Sequence, residues 1–474
     1  MSDILDLGLF KWEGYDDFTV RDACQGVLVT GGIGSGKTSA TGQLLASNYL
    51  EKGFCGTILT AKTDEKERWI NYCKKYRRLD DLIILSPESG HRFNFMEYEI
   101  KRSDKGKGIV HNVADLLLKV IKSGYPDGNG NDQAFWDSSL ENLVVNAVDL
   151  AMLTGNKRLE HIHDIVLSAP QTKKESEDPQ FRKKSACMLA LYHATSQTNA
   201  MPESIEKQIL SRRCKNLEDY FLQTWINLAE KTRSIIEQML SSFGSRFMRE
   251  PLYSLFNTTT TISPDDVLKG KIILIDMPYL TFDRIGRDAQ ILWKYIFQRA
   301  MQRRTITPNS PPIFLWVDEC QYFLNPKEDA LFQSICRDKR VCSVYITQNL
   351  PNFYVHASGV GERGETLFKA LAGNLSTKFF HANADVDTNE YAADLIGKDY
   401  LQTKNTSVGR GDSLVINQGK SETLAHIVQP SEFSKLMTGG PLNNFEAQAY
   451  VHRQGKTFQS TKSNYKLFHL NQLL

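Results

Sequence analysis

The chain has 474 residues, 41% hydrophobic and 24% charged, with a formal net charge of +2. This length exceeds one compact core and implies more than one domain, and the near-neutral charge excludes a globally basic nucleic-acid binder, leaving only local basic surfaces. No run approaches the ~18 apolar residues of a membrane helix, the start is acidic where a signal peptide is basic, and the eight cysteines include no C-x-x-C pair, which argues for reduced thiols in the cytoplasm and against a zinc ribbon.

Residues 1–25 read as a lead-in with Trp12, Tyr15 and Phe18 as packing anchors. Gly26 to Thr30 is an apolar strand, followed by Gly31-Gly32-Ile33-Gly34-Ser35-Gly36-Lys37-Thr38-Ser39 and an amphipathic helix to about residue 50. Thr57 to Ala61 and Leu82 to Leu85 are further strands, with a charged helix between them to about Tyr76. This β-α-β alternation implies a parallel sheet. From about residue 104 the pattern becomes helical, with helices expected over 107–122, 132–154, 158–167, 182–196, 202–212, 214–227 and 231–247. The turn-forming stretch Gly124 to Asn131 and the charged segment Gln171 to Lys184, a solvated loop by composition, separate some of them. Strands return at Lys271–Asp276, Ile313–Asp318, Val341–Thr347 and Ser376–His381, with helices at 285–304, up to Arg337, and at 386–396. Beyond residue 400 the pattern is short strands and turns. The expectation is an α/β protein: a mostly parallel sheet formed by residues 1–103 and 246–474, interrupted by an inserted all-α domain over 104–245.

Gly31 to Thr38 fits G-x-x-x-x-G-K-[ST]. Glycines let successive backbone N–H groups approach a phosphate, and the helix that follows directs its positive dipole end at the same group. Lys37 then reaches the β- and γ-phosphates, and the Thr38 hydroxyl is placed to ligate Mg²⁺. The implied ligands are a nucleoside triphosphate, ATP, and Mg²⁺. Hydrolysis further requires a carboxylate at the metal and a group that activates water. Ile313 to Val317 is an apolar strand ending in Asp318-Glu319, which assigns Asp318 to Mg²⁺ and Glu319 to the water. Asp276, after another apolar strand, lacks a second acid and reads as a strand-end cap. Gln348, after the strand ending at Thr347, is placed to sense the γ-phosphate or the water, and Arg337 is a candidate for a site shared between subunits. Basic clusters at Lys101-Arg102 with Lys105 and Lys107, at Lys173-Lys174, at Arg182-Lys183-Lys184, at Arg212-Arg213 with Lys215 and at Arg303-Arg304 read singly as solvated faces. His161 and His163 lack a third metal ligand nearby.

Together these motifs resemble the FtsK/HerA class of pumping ATPases, and within it the TraD/TraG-like coupling proteins of conjugation and type IV secretion. Phe135-Trp136-Asp137-Ser138-Ser139 with Asn142-Leu143 is similar to the start of that family's all-α domain, with serine for alanine at Ser139. Glu230 to Ile235, Lys269 to Leu274, and Val428 to Phe433 with Leu436 resemble its later elements. The resemblance implies a RecA-like motor with a helical domain, a homo-oligomer of hexameric type, and DNA as cargo. It gives Lys37, Thr38, Asp318 and Glu319 the Walker roles, Gln348 the third motif, and Arg337 the place of an arginine acting in trans. Such proteins normally begin with two membrane helices, and none is visible here. A soluble member would depend on a membrane-anchored, nuclease or relaxase partner. The competing expectation is a nucleotide-switched adaptor that docks protein substrates without moving DNA.

Overall fold

The structure, a computed structural model, describes the chain apart from residues 1–3, 13–15, 103–108, 124–130, 157, 359–361, 411–413 and 474. Tyr15, Lys105, Lys107 and the turn at 124–130 therefore lie outside the described residues. Thirteen strands are described: β1 (Gly8–Trp12), β2 (Asp16–Thr19), β3 (Val27–Thr30), β4 (Cys55–Leu59), β5 (Leu82–Leu85), β6 (Ile272–Ile275), β7 (Ile313–Val317), β8 (Val341–Thr347), β9 (Thr377–His381), β10 (Lys398–Arg410), β11 (Leu414–His426), β12 (Glu446–Arg453) and β13 (Tyr465–Asn471). The chain forms two compact units: Met1–Leu82 with Val267–Ile272 and Arg304–Leu474, and Ile83–Asp266 with Ile273–Arg303.

In the first unit the strands hydrogen-bond in the order β13-β12-β9-β3-β8-β7-β4. β3, β4, β7, β8 and β9 run parallel, and β12 and β13 close one edge antiparallel. Every residue of the five parallel strands is buried. That is why β3 and β7 read as apolar runs rather than alternating ones. The registers Thr30↔Thr347, Thr30↔Phe380, Val317↔Tyr345 and Leu59↔Val317 align the carboxyl ends of all five in one row.

The lead-in is a structured part of this unit. β1 and β2 pair as a hairpin, and Trp12 is only 1% exposed. Its ring meets Phe468 at 5.0 Å, Phe458 at 5.5 Å, Phe18 at 5.7 Å and Phe379 at 5.8 Å, with the Arg453 guanidinium 5.8 Å above it. Replacing Trp12 with Ala should cost about 3–5 kcal/mol, read as a fall in the midpoint of denaturant unfolding. Two features depart from the sequence reading. Helices Leu350–Ser358 and Glu362–Gly373 occupy a stretch with no expected element, packed through Phe353 and Phe368, 4.9 Å apart. Instead of short strands after residue 400, β10 and β11 form one long ribbon paired from Lys398↔His426 to Arg410↔Leu414.

The second unit is mostly helical and also carries the neighbouring strands β5 and β6. Helices Val110–Ser123 and Asn131–Leu153 pack on each other, and Tyr279–Arg303 packs on the former. The segment Gln171 to Lys184 is not a loop but two short helices, Lys173–Glu177 and Pro179–Lys184. Side-chain caps explain it: Thr172 accepts from the Glu175 amide and Asp178 from the Gln180 amide, with Pro179 at the first helical position. The two helices expected at 202–212 and 214–227 are one, Ile205–Asp219, continued by a π-helical turn at Tyr220–Thr224.

Candidate nucleotide site

The candidate phosphate, metal and water groups of the first unit sit just past the carboxyl ends of parallel strands, where open α/β sheets place their ligands. The phosphate loop follows β3, Asp318 and Glu319 follow β7, and Gln348 follows β8. The loop needs its glycines for stated reasons. Gly34 and Gly36 have φ of +74° and +89°, and a Cβ on Gly31 would come within 2.4 Å of Ser35 Oγ and 2.6 Å of His381 Cβ. Gly32 donates its amide to Ala382 O at 2.8 Å, which ties the loop to the end of β9. The helix begins at Lys37 with a π-helical turn to Gly42 and continues as an α-helix to Glu51. The loop opens on a cleft of about 480 Å³ shared by Lys37, Thr38, Lys62, Arg68, Asn71 and Gln348. Ile33 projects from the loop, 88% exposed.

Lys37 is 6% exposed. Burial pulls its ammonium below the usual lysine range, opposed by the charges of Glu319 and Asp318. Thr38 Oγ1 donates to Asp318 Oδ2 at 3.3 Å. Asp318 is 2% exposed, and burial, then the neighbouring Glu319 charge, push its carboxyl up. Its other oxygen accepts the Glu319 amide at 2.9 Å. Thr38 and Asp318 are hard oxygen donors at a spacing that suits Mg²⁺, which retains waters and takes few protein ligands.

Glu319 is in the left-handed region, φ +46°, and its side chain is 2% exposed. Burial would raise its carboxyl, but hydrogen bonds from Lys62 and Gln321 and the charges of Lys62 and Lys37 hold it below the usual range. Lys62 Nζ donates to Oε1 at 2.5 Å, and Gln321 Nε2 donates to Oε2 at 2.9 Å. Gln348 Nε2 reaches both oxygens, at 3.3 and 3.4 Å. The structure thus brings Lys37, Thr38 and Gln348 to one cleft, with Asp318 and Glu319 bonded behind them to Thr38 and Gln348.

Arg337 lies elsewhere. It is exposed at the end of helix Pro326–Cys336 and precedes β8. Gln348 follows β8, so the two are separated by the length of that strand, roughly 20 Å by strand rise. Asp276, in the second unit, donates its amide to Leu85 O at 2.9 Å. Several basic residues are held by structural partners: Arg102 by Glu99 at 3.0 Å, Arg213 by Asp149, and Arg304 by the Pro311 and Lys339 carbonyls. His161 Nε2 lies 3.0 Å from Thr154 Oγ1.

The sequence reading missed three groups. Lys62 and Arg68 enter from the segment after β4, and Arg68 Nη1 stands 3.9 Å from Asp318 Oδ2. His381, at the end of β9, meets Thr41 Oγ1 at 2.7 Å behind the loop; burial and Lys37 push it down to about 3, so it is neutral. Their one available signal was position after an apolar strand.

Residues 312–438 match the family described as the TraM recognition site of TraD and TraG. Residues 312–438 are TraD/TraG-like. The fold of the chain is that of a bacterial conjugative coupling protein, TrwBdeltaN70 in an unbound form, at 15% identity and TM-score 0.59 over 95% of this chain and 85% of that one. TrwB in complex with ADP and Mg²⁺ matches at 14% identity and TM-score 0.57, covering 96% and 87%. TrwB with a non-hydrolysable ATP analogue matches at 14% and 0.56, covering 95% and 86%. No curated protein matches the sequence. The TraD/TraG-like match includes β7, β8, β9 and the β10–β11 ribbon, and so contains Asp318, Glu319 and Gln348. Among the described residues no helix is long and apolar enough to cross a membrane.

Proposed function

We propose that this protein is a Mg²⁺-ATP-hydrolysing, ring-forming DNA translocase of the coupling-protein type, built from a RecA-like motor (1–103 and 246–474) with a helical insertion (104–245). The observation that carries the reading is the constellation at the glycine loop: Lys37, Thr38 and Gln348 line its cleft, and the buried Asp318 and Glu319 are hydrogen-bonded to Thr38 and Gln348. The fold shared with TrwB, described with ADP and Mg²⁺, supports the ligands. Within the loop of residues 31–39 the Gly31, Gly32 and Ser35 amides are used by the fold, the amides around Gly34, Gly36, Lys37 and Thr38 cradle the phosphates, and Lys37 balances charge at the β- and γ-phosphates. Thr38 and Asp318 hold Mg²⁺, which screens the phosphate charge when bound. Glu319 accepts a proton from the attacking water, whose oxygen bonds to the γ-phosphorus as the bond to the β–γ bridging oxygen breaks. The electron pair leaves with ADP, and inorganic phosphate is the second product. Gln348 orients the water. Arg337 is assigned to a neighbouring subunit's site, since it precedes the amino end of β8, away from its own loop. The eight cysteines are free thiols and all buried, which fits work in the cytoplasm, with a membrane-anchored, nuclease or relaxase partner supplying location and cargo.

A triplex-forming strand annealed to duplex DNA should be displaced on addition of Mg²⁺-ATP by the wild type and not by Lys37→Ala. Full ATP turnover with no displacement would contradict translocation. The match of residues 312–438 to a partner-recognition region favours a second reading, an adaptor that docks proteins and uses nucleotide to switch assembly. In that case a partner protein, and not DNA, raises the ATPase rate.

A further inference from the structure

A carboxylate offers about four lone-pair sites, and in Glu319 four donor contacts fill them. Oε1 takes Lys62 Nζ at 2.5 Å and Gln348 Nε2 at 3.3 Å; Oε2 takes Gln321 Nε2 at 2.9 Å and Gln348 Nε2 at 3.4 Å. A base so occupied has no site left for the proton of a water. One donor must leave before it can act, and the surroundings differ for each. Gln321 is 4% exposed and fixed by Thr347, whose hydroxyl donates to its Oε1 at 3.0 Å. Lys62 sits on the segment after β4, which pairs with β7 through Leu59↔Val317. Its side chain is 35% exposed and lines the same cleft as Lys37 and the glycine loop. Gln348 lines the cleft too, but it is neutral and its contacts are the longest of the four. Lys62 is the donor with a charge that a phosphate attracts, a flexible stem and an open path to where a terminal phosphate would lie.

We propose that Lys62 is a latch on Glu319 that the γ-phosphate opens: without it the ammonium occupies Glu319, and with it the ammonium moves to the phosphate oxygens and frees one carboxylate site for water. ADP leaves the latch closed. The contact exchanges one charge-assisted pair for another, so opening costs little when a triphosphate is present. This makes Lys62 a positioning residue for the base. The inference rests on the reading of the cleft as an ATP-hydrolysing site.

The test is nucleotide affinity, measured by fluorescent-nucleotide titration in wild type, Lys62→Met, Lys62→Arg, Glu319→Gln and the Lys62→Met/Glu319→Gln pair. Lys62→Met should lose about threefold in ATP affinity, the difference between the phosphate contact and the Glu319 contact it replaces, with ADP affinity unchanged; Lys62→Arg should restore most of it. Glu319→Gln should bind ATP more tightly than wild type because Lys62 is no longer held, and the gain should vanish in the double variant. Equal losses for ATP and ADP in Lys62→Met, or a Glu319→Gln gain that survives in the pair, would overturn the latch. Failure of the wild type itself to bind or hydrolyse ATP would instead overturn the underlying reading.

Discussion

Glu319→Gln should bind Mg²⁺-ATP and turn it over about 10²–10⁴-fold more slowly than wild type, the usual contribution of a positioned general base. The amide keeps the volume and two hydrogen-bonding atoms of the carboxylate in a site that is 2% exposed, so the fold around β7 should persist. What it loses is the ability to take a proton. It also loses the charge that pairs with Lys62 and that helps hold the buried Lys37 ammonium protonated. Single-turnover hydrolysis with pre-bound ATP separates the chemical step from binding. A near-wild-type rate would remove Glu319 from the mechanism and leave Asp318 or an unassigned group as the base.

Lys37→Ala should abolish measurable turnover, with a loss of at least about 10²–10³-fold, and should weaken triphosphate affinity as well. Lys37 is one of few cations facing two buried carboxylates; Lys62 and Arg68 are the others. Its removal takes away the charge opposite the β- and γ-phosphates. It also leaves Asp318, already pushed upward by burial and Glu319, with less to hold it ionised. Magnesium affinity should therefore fall together with nucleotide affinity. Isothermal titration with ATP at several Mg²⁺ concentrations reads both. Unchanged affinity and turnover would mean that the glycine loop is not the phosphate site.

The loop and the Asp318-Glu319 strand end were legible because the chemistry fixes their local pattern: glycines at set spacing before a helix, and an apolar buried strand ending in acids. The five parallel strands were legible for the same physical reason, burial on both faces. Lys62 was not. In sequence it is one lysine after Thr60-Ala61, and only the Leu59↔Val317 register places its ammonium on Glu319. The β10–β11 ribbon was read as short strands, but backbone pairing runs unbroken from Lys398↔His426 to Arg410↔Leu414; Gln402 meets Glu422 across it at 2.9 Å. The helices over 173–184 hide in a charged stretch because caps, not apolar periodicity, set them. Arg337 was legible as an arginine before a strand, and the same topology puts it before the amino end of the central strand β8, away from the loop.

The most direct test of the account is the steady-state ATPase rate per subunit against protein concentration, without DNA and then with single- and double-stranded DNA. An assembling motor with a site completed by its neighbour predicts a rate that rises with concentration and climbs further with DNA. A low rate indifferent to both would contradict it.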